Sequence, residues 1–306
     1  MSLLVVGSVA FDSIETPKGK REKIIGGSAN YACLAASYFT YSRMVGVVGN
    51  DYPEDIVHIM NSKGIDTSGL KFEEGETFSW GGVYSEDFSE RTTTFTKLNV
   101  FKSFSPELLE SHAKSNYTLL GNIHPELQMK VFDQLENPKL VACDTMNLWI
   151  NTTLPQLKEI LEKIDILLVN DEEAAMLSGN SNLSNSALKI LEMGPKFVVI
   201  KKGVHGAIIF GEEIEFHVPA FPVDEVVDPT GAGDTFAGGF MSYIAMEDSI
   251  SVEHLKRAMV AGTILVSFCV EDFGVERLLN ISAEDINNRL LNFSKLTLYD
   301  DTPLLK

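Results

Sequence analysis

The order of apolar runs along the chain predicts an α/β protein with a mostly parallel central sheet covered on both faces. Two observations carry that expectation. Short runs rich in Val, Ile and Leu, among them Ser2–Gly7, Arg43–Gly49, Ile166–Val169 and Phe197–Lys201, alternate with longer stretches whose apolar residues recur at helical spacing. The pattern departs from this alternation only after Gly75. There Thr77–Tyr84 and Arg91–Leu98, rich in Thr, Val and aromatics, flank the polar turn Ser85–Glu90 and read as a hairpin.

A length of 306 residues allows one large α/β unit or two small ones. No linker, internal repeat or low-complexity tract divides it, so residues 1–306 are read as one domain with inserted β segments at 12–25 and 76–98. The formal net charge of −18 argues against a nucleic-acid or anionic-membrane partner, since both reward clustered Lys and Arg. Cys33, Cys143 and Cys269 lie far apart in apolar surroundings, as buried free thiols of a reducing compartment do. The six histidines show no zinc-site spacing. With neither a signal-like start nor an apolar run of about 18 residues, a cytoplasmic setting is expected.

Taken in order, Ser2–Gly7 is the opening strand, and Asp12 follows just beyond its carboxyl end, where open α/β sheets place ligands. Residues 13–25 are polar and lead to Gly26-Gly27-Ser28-Ala29-Asn30. The small residues from Ser28 to Phe39 suit a helix packed closely on a sheet, with the glycine pair letting backbone approach a ligand at its start. Pro53–Lys63 reads as a helix ending near Gly64. The hairpin of 76–98, joined by residues 12–25, forms a small sheet over the site. Trp80, Tyr84, Phe88 and Phe95 are candidates for its inner face, or else for a satellite core or dimer contact.

Tyr117–Leu120, Leu140–Cys143 and Ile166–Val169 are further strands, the last leading into Asn170-Asp171-Glu172-Glu173. Asn170 and Glu173 have the spacing of a capping box for the next helix. Phe197–Lys201 and Ala207–Phe210 flank Lys202-Gly203-Val204-His205-Gly206. Glu253–Phe268 and Ser282–Phe293 close the chain as helices.

Everything else is arranged around Val226-Val227-Asp228-Pro229-Thr230-Gly231-Ala232-Gly233-Asp234-Thr235-Phe236. A proline-stiffened turn and three small residues precede a helical pattern through Phe236, Ala237, Phe240, Met241 and Ile244. The N–H groups of Gly231, Ala232 and Gly233, with the helix's unsatisfied donors and positive dipole end, make an anion site. Asp234 is out of place in such a nest unless it serves as a general base, and the helix terminus is expected to lower its pKa. The plainer alternative is an acid that merely complements the helix dipole.

This run resembles the signature of the ribokinase-like, or phosphofructokinase B (PfkB), family of sugar and nucleoside kinases. The resemblance implies a three-layer α/β/α sandwich with a β lid. It also implies an anion hole at Gly231, Ala232 and Gly233, and transfer of the ATP γ-phosphoryl group to an acceptor hydroxyl with Asp234 as base. It assigns Asp12, Gly26, Gly27 and Asn30 to the acceptor, and Asn170, Lys202, Gly203, Gly206, Thr230 and Gly274 to the nucleotide. Asn170 and Glu173 organise Mg²⁺ through water, and a monovalent cation is a further candidate cofactor. A sugar is the expected acceptor and a nucleoside the alternative. Leu148-Trp149-Ile150 stand where sugar kinases of the family commonly carry an Arg, which disfavours acidic or phosphorylated sugars. The lid is a family dimer interface, so a homodimer is expected.

Other classes fit less well. No Gly-x-Gly-x-x-Gly turn follows the first strand, and the Gly-Lys-Ser/Thr ending of a P-loop is absent. A non-catalytic sensor of sugars or nucleosides is the remaining rival, and the presence of Asp234 speaks against it.

Overall fold

The computed structural model describes residues 1–298. Its strands, in chain order, are β1 (Ser2–Val6), β2 (Ala10–Thr16), β3 (Gly19–Gly26), β4 (Tyr41–Gly49), β5 (Ile65–Glu73), β6 (Phe78–Tyr84), β7 (Arg91–Lys97), β8 (Tyr117–Leu120), β9 (Leu140–Asp144), β10 (Ile166–Asn170), β11 (Phe197–Lys201), β12 (Ala207–Gly211) and β13 (Ile214–Val218). Nine of them form the large sheet, in the order β13-β12-β11-β10-β9-β8-β1-β4-β5. From β11 through β5 every neighbouring pair is parallel; β12 and β13 extend the sheet by antiparallel pairing.

The central strands are apolar on both faces because both faces are covered. In β1, Leu3 and Val5 join the core under the helices Ser28–Ala36, Ala232–Glu247 and Val252–Cys269, whereas Leu4 and Val6 join a second core under Leu154–Leu161 and Leu183–Leu191. Alternate residues of one strand thus fill opposite cores, as the period of two requires. This is the expected three-layer arrangement. Strand β5 escapes the sequence pattern because it is an edge strand: it carries Asp66, Ser68 and Gly69, and only Ile65 and Leu70 are buried.

The second sheet has the order β3-β2-β6-β7. Asp12 of β2 lies opposite Trp80 of β6, and Tyr84 of β6 opposite Arg91 of β7, so these side chains share one face. Phe95 pairs with Gly81, one register step away, and therefore lies on the other face. Of the readings left open for Phe95, this register excludes the inner face; it is set by a bulge in which Thr94 of β7 is the extra residue opposite Gly81/Gly82. Trp80 and Tyr84 do face inward.

Candidate active site

Helix Ala232–Glu247 starts at Gly231, whose φ of 75° lies in the left-handed region and where a Cβ would come within 2.4 Å of the Tyr31 ring. Both constraints demand glycine. No side chain caps this helix end. The Ala232 N–H donates to the Pro229 carbonyl at 3.2 Å, so of the three expected nest residues it is already engaged. Gly231 and Gly233 donate to no backbone carbonyl among the described residues, which leaves the open, positive helix end that an anion needs.

The turn before the nest is held by Asp228, which has no exposed surface. Its Oδ1 accepts from the Thr230 N–H (2.8 Å) and its Oδ2 from the Gly274 N–H (3.0 Å). Thr230 is further tied to the small sheet, where its hydroxyl lies 2.9 Å from that of Tyr84. Thr16 of β2 donates to the Val227 carbonyl at 2.9 Å.

Strands β9, β10 and β11 end side by side at this helix start, and each delivers a polar residue: Asp144, Asn170 and Lys201. Lys201 Nζ lies 3.0 and 3.2 Å from the two Asp144 carboxylate oxygens, and both side chains are largely buried. It also sits 3.1 Å from where a Cβ on Gly233 would be, at the wall of the nest. Burial pulls the Lys201 pKa down, but Asp144 and Glu173 outweigh that and hold it above its ordinary value. Lys202, which the resemblance assigns to the nucleotide, forms no ion pair among the described residues; the lysine beside Gly233 is its neighbour Lys201.

Asn170 and Glu173 form the expected capping box of helix Asp171–Ser178. Asn170 Oδ1 accepts from the Glu173 N–H (2.7 Å) and Glu173 Oε2 from the Asn170 N–H (2.8 Å). Burial raises the Glu173 pKa to about 7, with Lys201 opposing and Asp144 reinforcing. Gly203 and Gly206 lie in the β11–β12 loop, which the Lys202 N–H closes on the Gly206 carbonyl at 2.7 Å.

Asp234 differs from expectation in one respect. Its pKa is raised to about 7, first by burial and then by Asp144, against the lowering influence of Lys201 and Arg91. The helix terminus does not dominate, because loss of solvent around the carboxylate outweighs the half charge of the dipole.

On the lid side, Asp12 is buried in the space that Gly26 leaves open: a Cβ on Gly26 would lie 1.9 Å from an Asp12 oxygen. Burial, then Asp228 and Asp234, raises its pKa to about 8. Asn30 has no exposure. Its Nδ2 donates to the Gly26 carbonyl at 2.7 Å and its Oδ1 accepts from Tyr52 at 3.3 Å, so it stands behind the glycine pair. The loop after β8 adjoins the same region, since a Cβ on Gly121 would lie 3.0 Å from Ser28 Oγ. Buried Gln128 joins that loop to the end of β9, its Nε2 donating at 2.9 Å to both the Gly121 and the Asp144 carbonyls.

Asp12, Glu173 and Asp234 keep their protons in the folded chain at pH values where the unfolded chain has lost them. They therefore favour folding below about pH 4, and that contribution disappears as pH climbs through about 7 to about 8. The thermal unfolding midpoint of the ligand-free protein is expected to fall between about pH 5 and about pH 8.5, less steeply in Asp12→Asn. A rising midpoint over that interval contradicts these shifts.

Lys201, Arg91 and Gln128 were missed by sequence reasoning. For Lys201 a signal existed: it closes a strand parallel to those that end in Asp144 and Asn170, and Asn170 is its partner in register.

A mostly parallel sheet topped by a β lid, with an open helix end flanked by acids and a lysine, defines a phosphotransferase of the ribokinase-like fold. The pfkB family carbohydrate kinase pattern matches residues 2–268, and the chain belongs to that family. The match stops short of Gly274. The chain is similar to the cytidine kinase of Thermococcus kodakarensis, 31% identical over 252 residues that cover 79% of this chain and 88% of that protein. It is also similar to fructokinase-2 of Oryza sativa subsp. japonica, at 24% identity over 81% of this chain and 80% of that one. A ribokinase-type chain of E. coli solved with ATP and Mg²⁺ superimposes with a TM-score of 0.77 at 20% identity, covering 95% of this chain and 99% of the other. The protein is thus an ATP-dependent kinase of sugars or nucleosides. Among the described residues no helix is long and apolar enough to cross a membrane.

Proposed function

We propose that the acceptor is a nucleoside and that a hydroxyl of its ribose receives the γ-phosphoryl group of ATP. The observation that carries this reading is Asp234 in the first turn of an uncapped helix, between the Lys201–Asp144 pair and the buried acid Asp12. Asp12 binds the acceptor hydroxyls. Asp234 takes the proton of the attacking hydroxyl, whose oxygen forms the new bond to phosphorus as the bond to the ADP oxygen breaks. The Gly231 and Gly233 amides and Lys201 stabilise the charge spread over the transferring group. Thr230, Gly274 and the Lys202–Gly206 loop border the rest of the nucleotide.

The all-oxygen character of Glu173, Asp144 and Asn170 suits Mg²⁺, a hard cation. Among the described residues no group of three or more His, Cys, Asp or Glu side chains could hold a metal ion. When bound, Mg²⁺ would neutralise phosphate charge that Lys201 alone leaves uncompensated.

The nucleoside preference is supported by the similarity to cytidine kinase and by Trp80, whose register partner is Asp12; the similarity to fructokinase-2 favours a hexose as the second reading. The reading includes a homodimer through the lid, supported by the outer edge of β7, which pairs with no other strand among the described residues. A phosphorylation screen over nucleosides and sugars tests the acceptor class directly. In the same assay Asp12→Ala is expected to raise the acceptor KM by about 10- to 100-fold with little change for ATP. Equal effects on both substrates argue against its acceptor role.

A further inference from the structure

We propose that Tyr84 of the small sheet is a positioning residue for phosphoryl transfer: its hydroxyl donates to that of Thr230 and so directs the Thr230 proton, and the Gly231 amide that follows, toward the phosphate nest. The assignment rests on the kinase reading above and holds for either acceptor class. Strands β2 and β6 run parallel as neighbours, with Glu15 opposite Val83, so Thr16 and Tyr84 stand side by side where the two strands end. Their side chains grip one loop at both its ends. Thr16 donates to the Val227 carbonyl at 2.9 Å, and the Tyr84 hydroxyl lies 2.9 Å from Thr230 Oγ1. Asp228 sits between these two contacts.

Thr230 is thereby held at each of its polar groups. Its N–H donates to Asp228 Oδ1 at 2.8 Å, its carbonyl accepts from the buried Cys269 thiol at 3.7 Å, and its hydroxyl meets Tyr84. Because a peptide unit is planar and trans, a fixed Thr230 carbonyl fixes the opposite direction of the Gly231 N–H. That N–H donates to no backbone carbonyl among the described residues, so its direction is available to a phosphate. Of the three holds on Thr230, only the one from Tyr84 comes from the small sheet. Between the two hydroxyls the phenol is the more acidic, and Thr230 Oγ1 has two lone pairs with which to accept, so Tyr84 is the donor. Burial raises the Tyr84 pKa against the opposing influence of Thr230 and Arg91, which keeps the phenol protonated for that task. Thr230 is buried, and its hydroxyl has no other protein partner among the described residues. Its own proton is therefore left for a phosphate oxygen. A hydrogen bond received from Tyr84 polarises the one that Thr230 gives.

Steady-state kinetics of Tyr84→Phe with ATP and cytidine, or D-fructose if the chain turns over only sugars, tests the assignment. The expected result is a kcat lowered by about 10- to 100-fold, less than for loss of a donor to the transferring group itself, with the acceptor KM within about 2-fold of wild type. Thr230→Val is expected to lose at least as much, and Thr230→Ser to stay near wild type. Combining Tyr84→Phe with Thr230→Val is expected to cost no more than Thr230→Val alone, because Tyr84 acts only through that hydroxyl. Losses that multiply in the double variant overturn the proposal. So does a Tyr84→Phe enzyme whose two KM values rise together while kcat stands, the mark of a contact that merely holds the sheet in place. Should Tyr84→Phe fail to fold, the two Thr230 variants decide: serine near wild type with valine slow supports the relay, and valine at wild-type kcat removes it. Wild-type kcat in Tyr84→Phe removes the proposal and leaves the kinase reading intact, whereas a wild-type chain that phosphorylates no acceptor in the screen takes both down.

Discussion

Asp234→Asn is expected to lower kcat by about 10²- to 10⁴-fold while leaving ATP affinity within a few-fold of wild type. Asparagine preserves the volume and polarity of the first helical turn but cannot accept the acceptor's proton. It also removes a negative charge from a nest built for phosphate, so nucleotide binding has no reason to weaken. Calorimetric titration with ATP and a coupled assay of ADP release separate the two quantities. Because burial and Asp144 raise the Asp234 pKa to about 7, wild-type kcat/KM should increase with pH through that value, and the variant should lose the dependence. Wild-type-like turnover in Asp234→Asn removes the base assignment.

Lys201→Met should be nearly as damaging, for a different reason. It leaves Asp144 buried without its cation and withdraws the positive charge nearest the Gly233 amide. Breaking such a buried pair costs about 3 kcal/mol of folding stability. Loss of an electrostatic group at the transferring phosphoryl should cost about 10²- to 10³-fold in kcat. Adding Asp144→Asn should restore much of the stability, since no unpaired charge then remains, but not the activity. Recovery of activity in the double variant would show Lys201 to be structural only. In the single variant the pH limb assigned to Asp234 should move upward, because Lys201 holds that pKa down.

These two residues also mark where sequence reasoning could place a side chain and where it could not. Asp234 was legible because helix start, glycines and acid are contiguous, so local spacing already fixed their geometry. The strands of the large sheet were legible for a similar reason: burial on both faces leaves unbroken runs such as Ile166–Val169. Lys201 was overlooked in favour of Lys202, since two adjacent lysines cannot be told apart until a neighbouring strand fixes which side each one faces. The raised pKa of Asp234 depends on Asp144, 90 positions away in sequence, and no local pattern carries that. The face of Phe95 was not legible because Thr94, the extra residue of the bulge opposite Gly81/Gly82, inverts the alternation beyond it.

Gln128 has a bearing on how the two substrates meet. One carboxamide nitrogen ties the Gly121 carbonyl, in the loop after β8, to the Asp144 carbonyl at the end of β9, which are the acceptor side and the phosphoryl side in the function proposed above. In that reading the span the phosphoryl group crosses is set by the floor of the cleft. The four-stranded sheet above it takes no part in that tie, so the distance does not depend on where the sheet sits.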